Sequence, residues 1–154
     1  MRTLKQNIRF LKWYPPYLGS GIKLETYNDE FTRLVVVMKM RWWNRNLVGT
    51  HFGGSLYSMC DPFYMFILME NLGSSYIIWD KAATIRFKRP GTGTVKAIFE
   101  IPKERIAEIK NEVNTIGKKD YIFTAFVTGE NGEVIAEVEK TVYVRKKDFI
   151  FPEK

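Results

Sequence analysis

The chain has 154 residues, 45% of them hydrophobic and 15% aromatic, with 24 Lys+Arg against 17 Asp+Glu and a formal net charge of +7. That length suits one domain with a full core, and the apolar and aromatic content excludes a disordered chain. Cys60 is the only cysteine and His51 the only histidine, which excludes a disulfide framework and leaves too few ligands for a structural zinc site.

The segment from Met1 carries charges but no apolar stretch followed by small residues, so no signal peptide is expected and the cytoplasm is the expected compartment. Leu4, Ile8 and Leu11 recur at helical spacing with Lys5, Arg9 and Lys12 between them. This predicts a short amphipathic helix halted at Pro15-Pro16, so that residues 1–20 form an N-terminal helix and proline-rich turn within a single domain over 1–154. Ile22, Leu24 and Thr26 alternate with Lys23 and Glu25 as a first strand, and residues 33–40 suit a second, more buried one. The turn at Asn28-Asp29-Glu30 makes the two a hairpin.

Residues 41–54 are irregular, and an apolar helix is expected over about 55–72, ended by Gly73-Ser74-Ser75. Its run from 62 to 69 is far short of the roughly 20 apolar residues that a membrane span needs. Ala83, Ile85 and Phe87 then alternate with Thr84, Arg86 and Lys88, and Val95, Ala97, Phe99 and Ile101 form a further strand. Ile106, Ile109 and Val113 mark a short connecting helix; residues 121–128 are apolar on both faces and read as a central strand. Asn131-Gly132 is a hairpin signal ahead of a last long strand carrying Val134, Ala136, Val138, Val142 and Val144. A helix apolar all round must be enclosed, and a sheet must cover its apolar face. The expected fold is therefore α+β, a curved antiparallel β-sheet wrapped around one long central helix, with an extra N-terminal helix. The sheet edge this leaves favours homodimerisation.

The stretch from Asn46 through Gly49 to His51-Phe52-Gly53-Gly54 is the first candidate for chemistry. Two glycines at a helix start admit another molecule close to the backbone, and the first helical amides lack internal partners. A carbonyl oxygen placed there would be polarised as negative charge develops. The plainer alternative is a tight loop-to-helix turn. Asp61 lies in the apolar helix among Met59, Cys60, Phe63 and Met65. Burial there would suit a general base or nucleophile; the alternative is a satisfied carboxylate bonded to a hydroxyl such as Ser58 or to an interface arginine. Pro62 removes a helix hydrogen bond and frees a carbonyl near Ser58.

Asn46, Gly49, Gly53, Gly54 and Asp61 stand at a spacing that resembles the hotdog-fold acyl-CoA thioesterases of the phenylacetate-pathway type. The motifs at 15–19 (Pro-Pro-Tyr-Leu-Gly) and 51–54 (His-Phe-Gly-Gly) resemble an uncharacterised thioesterase-like family of the same fold, and the likeness runs from about 13 to 145. The resemblance implies a hotdog fold in which Asp61 attacks the thioester or activates water, the Gly54 amide polarises the acyl carbonyl and Asn46 orients the reacting groups. His51 would be its imidazole, although Phe52 holds the family position and His51 stands one residue early. It implies no cofactor beyond the coenzyme A of the substrate, and a site shared between two subunits of a homodimer, itself able to pair into a homotetramer.

The same resemblance makes Arg89, with Gly53, Gly91 and Thr92, the candidates for binding the coenzyme. Arg86 and Lys88 belong to the same basic cluster, since guanidinium groups bind phosphate bidentately. The alternative for Arg86 and Lys88 is an edge strand protected by charge. Trp42 and Trp43, between Arg41 and Arg45, are expected to cover the helix or an interface. Two other function classes stay open: a non-catalytic acyl-CoA or fatty-acid binding module, and a basic nucleic-acid binder resting on the net charge and the Arg-Trp-Trp-Asn-Arg segment.

Overall fold

Six strands pair in one antiparallel sheet: β1 (Ile22–Tyr27), β2 (Arg33–Lys39), β3 (Tyr76–Phe87), β4 (Thr94–Glu100), β5 (Lys118–Thr128) and β6 (Val134–Lys146). Their spatial order is β1-β2-β4-β5-β6-β3, with β1 and β3 at the edges. The helices are α1 (Leu4–Asn7), α2 (Pro15–Ser20), α3 (Gly53–Ser58), α4 (Phe63–Leu72) and α5 (Lys103–Ile116), and a 3₁₀ helix covers Ile8–Trp13. These elements come from a computed structural model that describes residues 4–150, apart from the side chains of Asn7 and Arg9. The expectations that fall on residues 1–3 and 151–154 and on the Arg9 side chain lie outside the described residues.

Period-two alternation sets the core. Leu34, Val36 and Met38 on β2, Val95, Ala97 and Phe99 on β4, and Ala136, Val138, Val142 and Val144 on β6 are all buried. Helix α4 buries Phe63, Tyr64, Ile67, Leu68 and Leu72. Phe63 stacks on Phe99 with ring centroids 5.0 Å apart, and Tyr64 stacks on Phe123 at 4.9 Å. The Tyr64 hydroxyl donates to the Thr124 carbonyl at 2.7 Å, so the ring is buried without an orphaned polar atom. Each such side chain contributes about 2 kcal/mol by leaving water.

Several expectations are corrected. Pro15-Pro16 open a helix instead of halting one, because proline suits the first helical positions, where no amide is needed. The segment before them is a single α-turn and a 3₁₀ helix, not one amphipathic helix. The apolar stretch over 55–72 is two helices. Asp61 and Pro62 occupy the break; the Cys60 and Asp61 amides bond back to Tyr57 and Ser58 in tight turns, and α4 begins when Phe66 N–H reaches the Pro62 carbonyl at 2.8 Å. The connecting helix α5 is a full 14 residues. Strand β3 starts at Tyr76, well before Ala83; β5 lies between β4 and β6, central as expected, and leaves Ile122 and Phe126 exposed. The hairpin is present: the Asn28 side chain accepts from the Thr32 and Arg33 amides and lets Phe31 adopt φ +53°. Among the described residues no helix is long and apolar enough to cross a membrane.

Candidate active site

Two cavities flank α3, and they divide the expected site residues between them. The first, about 400 Å³, is lined by Asn46, His51, Gly53, Lys88, Arg89 and Gly91 among others. The second, about 430 Å³, lies between the N-terminal helices and the helix break, and holds Asp61 with Tyr14, Tyr17, Tyr57 and Phe66. Thr92 and Arg86 are exposed, and neither they nor Gly54 line the first cavity.

The first cavity is shaped by backbone hydrogen bonds. The Asn46 carboxamide accepts from the Val48 and Thr50 amides and donates to Thr50 Oγ1, so its polar atoms are spent on closing its own loop. His51 is 3% exposed; its amide donates to the Gly91 carbonyl at 2.9 Å and its ring Nε2 lies 3.1 Å from the Gly93 carbonyl. A carbonyl only accepts, so Nε2 carries the proton and Nδ1 is a buried acceptor with no partner among the described residues. Burial holds the imidazole below its usual range, against the opposing effect of the Gly93 bond. Gly91 packs so closely that a Cβ there would sit 2.8 Å from Ile135 Cγ2. Gly53 and Gly54 are the first two residues of α3, where amides have no intrahelical acceptor; a Cβ on either would meet the ring of Phe87 or Phe52.

Of the basic cluster, Arg86 and Lys88 both reach Glu137 across the strand pair, at 3.4 and 3.0 Å. Arg89 has no carboxylate partner among the described residues and borders the cavity. Trp42 and Trp43 are exposed and pack edge-to-face on each other.

Around the second cavity the chemistry is charged. Asp61 sits at the helix break with its side chain 49% exposed. Its Oδ1 accepts from the Tyr57 hydroxyl at 2.8 Å and from Lys140 Nζ at 2.9 Å. Ser58 bonds the Gly54 carbonyl instead, and the Ser58 carbonyl accepts from Tyr17 Oη as well as from the Asp61 amide. Lys140, in the middle of β6, is 0% exposed; its ammonium also lies 3.2 Å from Asp80 Oδ2 and 3.2 Å from Tyr57 Oη. Burial pushes that ammonium down, but Asp61, Asp80 and Tyr57 outweigh it and carry it above the usual lysine range. Asp80, on β3 beside a bulge, is held above the usual carboxylate range by burial, with Lys140 opposing. Burial, then the Asp61 hydrogen bond, raise Tyr57, and burial raises the Cys60 thiol to about 12.

Lys140 and Asp80 were not among the residues singled out from the sequence. A signal existed for Lys140: Ala136, Val138, Val142 and Val144 face inward, and the same alternation puts residue 140 inward with them.

A family described as a domain of unknown function, DUF4442, matches residues 6–144. No curated protein matches the chain. Among solved structures, PA5026 from Pseudomonas aeruginosa, a protein of unknown function described as a probable thioesterase, is 24% identical with a TM-score of 0.80 over 95% of this chain and 98% of its own. The thioesterase HI1161 from Haemophilus influenzae is 12% identical with a TM-score of 0.67, covering 99% and 96% of the two chains. The PaaI protein of the phenylacetic acid degradation operon of E. coli is 16% identical with a TM-score of 0.62, covering 92% and 91%. At such identities the likeness carries the fold, the hotdog fold of these thioesterase-type structures. The chain belongs to the DUF4442 family and has that hotdog fold.

Proposed function

We propose that the protein hydrolyses acyl-CoA thioesters, with Asp61 as base or nucleophile. The observation that carries this reading is the Asp61 carboxylate in the break between α3 and α4, half exposed beside a cavity of about 430 Å³ walled by aromatic rings. In the general-base form Asp61 takes a proton from water and the oxygen attacks the thioester carbonyl. The amide of Gly54 stabilises the oxyanion, the C–S bond breaks, and the coenzyme thiolate leaves with the proton returned by Asp61. Arg89 is the free guanidinium for a coenzyme phosphate, beside Gly91 and Thr92. In one chain Asp61 and the loop carrying His51 and Gly53 face different cavities, which supports a homodimer in which a second copy completes each site. The edge strand β3, with Trp79 and Phe87 exposed, is the surface offered for pairing.

Purified protein is expected to release free thiol from at least one of a panel of short, long and aromatic acyl-CoAs, and Asp61→Asn to abolish release. No turnover across the panel would remove the hydrolase reading. A second reading, an acyl-CoA binding module without turnover, is favoured by one observation: Asp61 Oδ1 is already engaged by both Tyr57 and Lys140. Thermal stabilisation by acyl-CoA with no thiol released would select it.

A further inference from the structure

An ammonium on the inward face of a sheet is costly, and its neighbours along the ladder do nothing to offset it. Lys140 is flanked by Phe123 on β5 and Ala83 on β3, neither of which brings a charge. Its compensation comes from hydrogen bonds to Asp61 at the helix break and the Tyr57 hydroxyl on α3, and from the ion pair with Asp80 on β3. The other titratable groups near this cluster are Tyr17 of α2 and Cys60, both held protonated by burial.

Stability alone does not account for such a cluster, because apolar residues of similar volume commonly replace buried ion pairs without loss. What the cluster achieves is asymmetry at Asp61. One carboxylate oxygen receives two hydrogen bonds from fixed donors, while Oδ2 has no partner among the described residues. The carboxylate is thereby fixed in rotation at the wall of the second cavity.

The geometry points to Lys140 as the positioning residue of the Asp61 carboxylate, holding Oδ1 with Tyr57 so that Oδ2 is the oxygen that meets water or the thioester, and to Asp80 as the buried counter-charge that keeps Lys140 ionised. This rests on the hydrolase reading above for its kinetic consequences, but not for its structural ones. Lys140 does not touch substrate. It acts through the orientation of its partner, as outer-shell groups do around other reactive side chains.

The test uses two variants of the full chain. Lys140→Met removes the ammonium but strands Asp80, so the double variant Lys140→Met/Asp80→Asn, which removes both buried charges together, keeps the test open if the single one fails to fold. In a folded variant kcat is expected to fall by about tenfold to a hundredfold with KM within about twofold, as when a base is left mispositioned. A folded double variant with the parent kcat overturns the assignment. Crystal structures of parent and double variant at one pH give an answer independent of turnover. The Asp61 carboxylate is expected to rotate or to occupy several rotamers once Lys140 is gone, and an unmoved carboxylate overturns the assignment. A parent protein that hydrolyses no thioester removes the hydrolase reading, and this structural comparison still decides the role of Lys140.

Discussion

The two cavities beside α3 are built on opposite principles. Around His51, Lys88 and Arg89 border the cavity but the loop itself is held by neutral groups: an asparagine closes it, an uncharged imidazole staples it to residues 91–93, and a glycine lets the segments touch. Around Asp61 the wall is ionic, with two carboxylates sharing one fully buried ammonium. A neutral wall of backbone hydrogen bonds fixes shape and tolerates loss piecemeal, since each bond is worth about 1 kcal/mol net. An ionic wall fixes orientation and charge, and it fails as a unit, because removing one member leaves the others buried without compensation.

That contrast can be broken by mutation. Lys140→Met is expected to cost the most, about 3–5 kcal/mol in denaturant unfolding, with most of it recovered in the double variant with Asp80→Asn. A double variant no better than the single one would mean that the cluster is held by packing and not by charge. On the neutral side, Gly91→Ala is expected to cost about 1–3 kcal/mol by forcing Ile135 aside. Asn46→Ala should cost about 1 kcal/mol, as the Val48 and Thr50 amides it satisfies lie near water and find other acceptors.

The smallest effects are those of pH, and they carry opposite signs on the two sides. Asp80 titrates above its unfolded value, so its contribution is complete below the ordinary carboxylate range and is lost as pH rises through its own raised value. His51 titrates below its unfolded value, so its contribution is present above the ordinary imidazole range and is lost as pH falls through its lowered one. Following the urea midpoint from about pH 4 to about pH 8, Asp80→Asn should remove a loss on raising the pH, and His51→Gln a loss on lowering it. A tenfold difference in proton affinity between the folded and unfolded chain is worth about 1.4 kcal/mol, which sets the scale of both losses.

The sequence made the neutral side easier to read than the ionic one. Asn46, His51 and Gly53 lie within eight positions of one another, and local spacing is what a motif records. The hairpin, the strand alternation and the length of β6 were likewise visible as periodicity. Lys140 and Asp80 escaped because their meaning depends on strand register: residue 140 becomes a partner of Asp61 only when β6 runs beside β3 and beneath the helix break. The break itself was half visible. Pro62 announced a lost hydrogen bond, but not that α3 would end and leave Asp61 in the gap. Tyr76 to Asp80 went unread because an edge strand that mixes Trp79, Asp80 and Lys81 shows no clean alternation.

Cys60 gives the helix break an experimental use. It is the chain's one thiol, fully buried and adjacent to Asp61, with its proton held until about pH 12. In the folded protein it is inert to the chromogenic disulfides that count released coenzyme A, so such an assay starts from a low background. The same silence makes it a native clock. The rate at which a thiol reagent finally reacts with Cys60 measures how often the floor of the Asp61 site opens to solvent.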